Sequence, residues 1–157
     1  MNNFHDYIIN CVSPGGRILE FGSGEGTKLL LDAGLIVTSV EHDNDWLGRV
    51  PTDYIYAPIE PFKSDYYIEE TGWYKLSILK REIVHNYELI LVDGPTRLQG
   101  RGGFDVYFDE LGLRRDVPVV FDDVHRLWEF RLMGNVGHKL GRNPVVHVQG
   151  DRWFGVV

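Results

Sequence analysis

The stretch from Ile18 to Asp45, ILEFGSGEGTKLLLDAGLIVTSVEHDND, decides the fold. It begins inside an apolar run that predicts a buried strand over 17–21. A glycine-rich turn follows, and then a segment of helical period over 25–33 predicts a helix that ends near Gly34. A second apolar run over 36–40 predicts the next strand. The order of strand, turn, helix and strand is typical of a parallel α/β sheet.

The remainder of the chain continues this alternation. Further strands are predicted at 53–58, 87–93, 117–122, 145–149 and 153–157, and further helices at 3–12, 74–85, 105–113 and 124–140, with a short helix through Trp46. Residues 60–73 are predicted to form a loop inserted over a site. We therefore predict one domain over 1–157, a Rossmann-like three-layer α/β sandwich. Its seven-stranded sheet is mostly parallel and ends in an antiparallel hairpin at Gly150-Asp151.

Composition limits the classes of function. The 157 residues are 43% hydrophobic and 25% charged, which are values of an ordinary globular domain. A net charge of −7 argues against a nucleic-acid partner, and a single cysteine excludes a cysteine-built metal site. No apolar run is long enough to span a bilayer, so we expect a cytoplasmic protein without a membrane partner. Assembly into a homo-oligomer stays open.

Three kinds of ligand compete for the glycine turn. A phosphate loop has a lysine and then a hydroxyl residue after its last glycine, whereas Gly26 is followed by Thr27-Lys28 in the reverse order. The dinucleotide turn of NAD(P)-dependent reductases is G-x-G-x-x-G, and the sequence over 22–26 is one residue too short for it. The carboxylates of Glu20 and Glu25 would also oppose a pyrophosphate at the helix N-terminus.

A ligand with a cationic end, a ribose and no phosphate suits the turn better. Glycines allow a ligand to approach the backbone closely. Glu20 would accept hydrogen bonds from an ammonium group. Glu41 follows the second strand, where a carboxylate can bind two ribose hydroxyls. S-adenosylmethionine combines these features.

The sequence E-x-G-x-G-x-G over 20–26, with Glu41 after the next strand, resembles the first two motifs of class I S-adenosylmethionine-dependent methyltransferases. The order of elements agrees over nearly the whole chain, and Asp93 stands where that family has an acidic residue near the methyl group. The third-strand motif departs from the family: Ala57-Pro58-Ile59 leaves the adenine to backbone groups or to Glu60. The resemblance implies cofactor contacts from Glu20, Gly22, Ser23, Gly24, Gly26, Glu41, His42 and Asp93.

A shorter and interrupted similarity points to the glucuronoxylan 4-O-methyltransferase-like family. It lies at Asp93-Gly94-Pro95, at Gly100-Arg101 and at the late Asp123-Val124-His125-Arg126. This match names no substrate; the reaction that we expect is methylation of an oxygen on a small-molecule or saccharide acceptor.

The acidic strand ends supply the candidates for chemistry. Methyl transfer requires an oriented acceptor and removal of its proton, for which the candidates are Asp93, Asp123 and His125. Helix capping is the alternative for Asp122 or Asp123, and a solvated position is the alternative for His125. Asp93, Asp122 and Asp123 are also candidate ligands of a divalent cation. Arg101 and Arg126 are candidates to bind the acceptor, with a surface position as the alternative for Arg101.

Three functions remain open from the sequence. The first is a methyltransferase that uses S-adenosylmethionine. The second is a non-catalytic module that binds this cofactor, or a subunit that needs a partner. The third is an NAD(P)-dependent reductase, against which the short glycine spacing argues.

Overall fold

The computed structural model describes residues 3–157 and confirms the α/β prediction. The strands are β1 (Arg17–Phe21), β2 (Ile36–Glu41), β3 (Asp53–Tyr56), β4 (Ile59–Pro61), β5 (Gly72–Tyr74), β6 (Leu89–Val92), β7 (Val119–Phe121), β8 (Val145–Gln149) and β9 (Arg152–Val156). The helices are α1 (Phe4–Cys11), α2 (Glu25–Asp32), α3 (Leu76–Glu82), α4 (Gly103–Val106) and α5 (Leu127–Leu140). Within residues 3–157, no helix combines the length and the apolar character needed to cross a membrane.

Seven strands form one sheet in the order β3-β2-β1-β6-β7-β9-β8. The first five of these pair in parallel, whereas β9 is antiparallel to both β7 and β8. The predicted mostly parallel sheet with a terminal hairpin is therefore confirmed. The strand order switches at β1, which pairs with β2 on one side and with β6 on the other. In open α/β sheets a ligand binds beyond the carboxyl ends of the strands at such a switch.

Alternate side chains of β6 show that the sheet is covered on both faces. Leu89 and Leu91 pack into a cluster with Ile8 of α1 and Leu30 of α2. Ile90 and Val92 pack into a second cluster on the opposite face, which includes side chains from α3, α4 and α5. All four residues of β6 are buried because helices cover the sheet on both faces, and this explains why the strand is a continuous run of apolar side chains.

Three helix predictions differ from the structure where the backbone takes another path. The predicted helix over 124–140 begins later, as α5 at Leu127, because Arg126 has an extended backbone and Asp123 has a left-handed φ of 61°. The residues around Trp46 form turns instead of a helix. The predicted helix over 105–113 is reduced to the single turn of α4, followed by irregular turns.

The segment over 60–73 is more ordered than the predicted loop. Its ends lie in β4 and β5, which pair as a separate two-stranded sheet around residues 62–71. Trp73 is buried, and its ring stacks on Phe21 at the end of β1 with a centroid distance of 5.8 Å. The hairpin is thereby anchored next to the switch of strand order.

Candidate functional site at the carboxyl edge of the sheet

The segments that follow β1 and β6 approach each other closely at two glycines. Gly22 has a φ of 92°, and a Cβ atom on it would lie 2.7 Å from the backbone of Gly94. Any side chain at Gly22 would therefore push the two strand exits apart. We conclude that this glycine is needed for packing within the protein, which the sequence pattern alone does not distinguish from ligand binding.

The other two glycines of the turn have different surroundings. A Cβ atom on Gly26 would lie 2.9 Å from Nε2 of His5, so this glycine allows α1 to approach α2. Gly24 has an extended backbone, and among residues 3–157 no heavy atom lies within 4 Å of its would-be Cβ. Of the three glycines, Gly24 is the one that faces open space.

Glu20 is a buried carboxyl group that is held by two hydroxyls. Only 2% of the residue is exposed, and its Oε2 accepts hydrogen bonds from Thr27 at 2.8 Å and from Ser39 at 2.5 Å. Burial raises the pKa of Glu20 to about 8, although the two hydroxyl donors act in the opposite direction. Thr27 also accepts a hydrogen bond from the backbone N–H of Gly24, so the carboxyl group and the open glycine are linked.

Glu41 fixes the turn from the neighbouring strand. Its Oε2 accepts from the backbone N–H of Ser23 at 2.9 Å, and its Oε1 accepts from those of His42 and Asp43 at 2.7 and 2.8 Å. The His42 ring lies beside it, with Nδ1 3.2 Å from Oε1. Glu41 is thus oriented by backbone donors, and no lysine or arginine of the described chain pairs with it.

Two cavities lie on either side of the glycine turn, and Asp93 lines both. The first is a cleft of about 80 Å³ lined by Gly22, Ser23, Glu41, His42, Asp43, Trp46, Tyr74, Asp93, Gly94, Pro95 and Thr96. The second, of about 200 Å³, is lined by Phe4, His5, Glu20, Gly24, Glu25, Gly26, Leu29, Leu30, Leu91, Asp93 and Arg152. Glu60 lies away from the cleft on β4, where it pairs with Lys75 at 3.3 Å.

Each cavity is lined by a residue with a polar atom that lacks a partner. Nε2 of His5 and the hydroxyl of Tyr74 are buried without a hydrogen bond to any residue in the range 3–157. Leaving such a group buried and unpaired costs about 1–3 kcal/mol. A ligand that entered these cavities could satisfy both groups. Neither residue was predicted from the sequence, since nothing near them in the chain distinguishes a site residue from a core residue.

Asp93 lies where the two cavities meet. Its Oδ1 is 3.3 Å from a guanidinium nitrogen of Arg101, whereas its Oδ2 has no hydrogen-bond partner among the described residues. Burial and the nearby carboxylates of Asp122 and Asp123 raise the pKa of Asp93 to about 7, against the effect of Arg101. The predicted position of Asp93 beside the cofactor turn is thus supported by the cavities that it lines.

Arg101 is buried within the protein. Only 4% of it is exposed, and its guanidinium donates to the backbone carbonyls of Asp93, Pro95 and Asp122 and to the carboxylate of Asp123. The surface position considered from the sequence is wrong. Its contacts favour a role in positioning Asp93 and Asp123, and a direct contact with an acceptor stays a prediction.

The three predicted metal ligands do come together, with one oxygen each from Asp93, Asp122 and Asp123 within 4.8 Å of the others. Arginines already pair with all three, since Arg152 binds Asp122 and Arg126 binds Asp123 at 2.8 Å, in addition to Arg101. These guanidinium groups supply positive charge at the cluster and oppose a metal ion, although Oδ2 of Asp93 has no partner among the described residues.

Helix capping does not explain Asp122 or Asp123. The N-cap of α5 is Arg126, and no side chain caps this helix end. His125 is exposed, as the sequence allowed, and it lines a third cavity of about 480 Å³ together with Arg126. His125 therefore lies outside the cleft that contains Asp93.

Sequence comparison gives no family for the chain: no family model matches it, and no curated protein matches it. Structural comparison does find relatives. The C-terminal domain of precorrin-6Y C5,15-methyltransferase from Rhodobacter capsulatus matches with a TM-score of 0.59 and 12% identity, over 97% of this chain and 85% of that domain. A TehB-like SAM-dependent methyltransferase from Corynebacterium glutamicum matches with a TM-score of 0.56 and 13% identity, over 97% and 84%.

A third solved structure is larger. The MycE methyltransferase from the mycinamycin biosynthetic pathway, in complex with Mg, SAH and mycinamycin VI, matches with a TM-score of 0.54 and 14% identity. The match covers 97% of this chain and 47% of that one. These likenesses establish that the chain has the fold of class I S-adenosylmethionine-dependent methyltransferases.

Proposed function

We propose that this protein is a methyltransferase that uses S-adenosylmethionine and methylates an oxygen of a small-molecule or saccharide acceptor. The observation that carries the proposal is the open glycine turn at Gly24, with a cavity on each side and Asp93 lining both. The carboxylates of Glu20 and Glu41 flank this turn, and no lysine or arginine of residues 3–157 forms an ion pair with either. This charge pattern favours a cationic nucleoside over a pyrophosphate.

The two cavities suit the two ends of the cofactor. The cleft of about 80 Å³ and the second cavity of about 200 Å³ are each too small for a nucleoside that carries an amino-acid group, so we propose that the cofactor extends over both. Glu41 and Trp46 would contact the nucleoside in the cleft. Glu20 would face the ammonium group in the second cavity, where Arg152 and His5 would face the carboxylate.

Asp93 is the proposed proton acceptor. The bound cofactor would supply an activated methyl group, and the acceptor hydroxyl would lose its proton to the free Oδ2 of Asp93. A general base works best when its pKa lies near the operating pH, and the pKa of Asp93 is about 7. Asp123, which Arg101 links to Asp93, and His125, which lines the neighbouring cavity, are the next candidates.

Calorimetry with S-adenosylhomocysteine tests the proposal. Gly24→Leu should weaken binding by at least about 100-fold, which is about 2.7 kcal/mol, because the new side chain fills the open space at the turn. The matched control is Gly134→Leu on α5, which adds the same side chain at an exposed site that is also free of neighbours within 4 Å among residues 3–157.

Circular dichroism should show both variants folded. Failure of the native chain to bind S-adenosylhomocysteine would contradict the proposal, and binding of NADH instead would favour the reductase. Cofactor binding without turnover over an acceptor panel would favour the non-catalytic module.

A further inference from the structure

The third cavity lies next to the proposed methyl-transfer site, and both acidic and basic side chains line it. Its volume of about 480 Å³ lies within the range of small-molecule sites. Glu69, Glu70, Arg97, Gly100, His125, Arg126, Leu127, Trp128 and Glu129 line it. Thr96 lines the cofactor cleft and Arg97 lines this cavity, so one short segment separates the two spaces.

Glu129 is the carboxylate in this cavity that the protein does not satisfy. Only 6% of the residue is exposed, yet no hydrogen bond or ion pair to its side chain is formed by any residue in the range 3–157. Arg126, which lines the same space, is paired with Asp123 at 2.8 Å. A cationic ligand in the cavity would supply the partner that the Glu129 carboxylate lacks among residues 3–157.

Glu70 adds a second buried carboxyl group. It is 8% exposed, and its Oε2 accepts a hydrogen bond from the backbone N–H of Gly102 at 2.5 Å. Burial is the main cause that raises the pKa of Glu70, and the charge of Glu129 raises it further. Both carboxyl groups line the same cavity, so a cation bound there would be attracted by both.

The arrangement favours an organic cation over a metal ion. Among the described residues, the one group of three acidic side chains whose oxygens converge within 4.8 Å is the aspartate cluster, so Glu69, Glu70 and Glu129 do not converge in this way. A stacked sugar ring is also disfavoured at Trp128. The Arg131 guanidinium lies 4.9 Å over its ring, and its Nε1 donates to Glu69 at 2.9 Å.

We propose that this cavity binds the amine group of the acceptor, with Glu129 and Glu70 as its hydrogen-bond acceptors. The inference rests on the proposed function, since it names the chemistry of the molecule to be methylated. An ammonium group provides three N–H donors on one charged atom, which suits two separate carboxylates. A hydroxylated acceptor that carries such a group would be held beside the segment that lines the cofactor cleft.

The test uses two probes that differ at one position, glucosamine and glucose, titrated into the full chain. The readout is the NMR signal of the Trp128 indole N–H, which donates to Glu69 in the cavity wall. Glucosamine should shift this signal with an affinity at least tenfold above that of glucose. Glu129→Gln and, independently, Glu70→Gln should each lower the glucosamine affinity at least tenfold.

Glu110→Gln is the matched control, because Glu110 is exposed and pairs with Lys80 away from the cavity. It should leave the glucosamine affinity unchanged. Equal shifts with both sugars, full affinity in both cavity variants, or displacement of glucosamine by Mg²⁺ would overturn the inference. Calorimetry of the native chain with S-adenosylhomocysteine separates the two proposals: absence of cofactor binding refutes the proposed function, whereas the sugar titration reports on the cavity alone.

Discussion

The two halves of the carboxyl edge carry similar acidic side chains but hold them in opposite ways. Beyond β1 and β2, Glu20 accepts from two hydroxyls and Glu41 accepts from three backbone N–H groups. Beyond β6 and β7, the three aspartates, Asp93, Asp122 and Asp123, are paired with the three arginines Arg101, Arg126 and Arg152. Neutral donors orient a carboxylate without cancelling its charge, whereas a guanidinium group does both.

This difference indicates that the two halves of the carboxyl edge have different roles. The first half keeps the Glu41 carboxylate without a lysine or arginine partner, and the buried Glu20, whose pKa is about 8, would ionise more readily beside a cation; this half is therefore suited to a cationic ligand. The second half is neutralised within the protein and is suited to holding Asp93 in place beside that ligand. Acidic residues at strand ends are thus not equivalent, and their partners decide what each can bind.

The largest effect is expected from Arg101→Met, which removes the arginine that contacts Asp93 and Asp123. Removing one partner of a buried ion pair typically costs about 3–5 kcal/mol, because a buried charge is left uncompensated. Arg101 is 4% exposed and contacts both Asp93 and Asp123, so we expect an unfolding free energy lower by about that amount.

Urea unfolding measures this loss, and Arg97→Met is the control. Arg97 is exposed and forms no ion pair within the described residues, so its replacement should change stability by less than about 0.5 kcal/mol. A similar small change for Arg101→Met would show that the network does not hold the aspartates.

A smaller effect is expected from Glu20→Gln, which tests the half held by neutral donors. The pKa of Glu20 is about 8 in the folded protein, against an ordinary value of 4.5. Between these values the folded state binds more protons than the unfolded state, so the carboxyl group makes stability fall as pH rises. Glutamine does not ionise but keeps an acceptor oxygen for Thr27 and Ser39.

We therefore expect the variant to gain stability relative to the native chain between pH 5 and pH 8, on the order of 3 kcal/mol. Unfolding in urea at the two pH values measures this difference. Glu110→Gln, at an exposed position, should show no such trend. A parallel pH dependence for the native chain and Glu20→Gln would mean that Glu20 ionises freely in the folded state.

The sequence predicted the sheet well because a strand buried on both faces leaves a continuous apolar run, as in β6. It placed Glu20, Glu41 and Asp93 at the edge because a strand end is local in sequence. It did not predict the left-handed φ of Asp123 or the extended backbone of Arg126 before α5. It could not assign Gly22 to packing, because its neighbour Gly94 lies far along the chain. The contact of Thr27 with Gly24 could have been predicted from the sequence, because Thr27 stands three residues after Gly24 at the start of α2.

The smallest effect is expected from divalent cations, and it compares the two halves directly. If arginines fill the space between Asp93, Asp122 and Asp123, then millimolar Mg²⁺ or EDTA should change the affinity for S-adenosylhomocysteine by less than about twofold.

Arg152→Met tests the same arrangement more directly, because it removes the cationic partner of the Asp122 carboxylate. Mg²⁺ should then raise the melting temperature of this variant more than that of the native chain. Strong stabilisation of the native chain by Mg²⁺ would instead show that a cation displaces the arginines and that both halves of the edge bind positive charge from outside the protein.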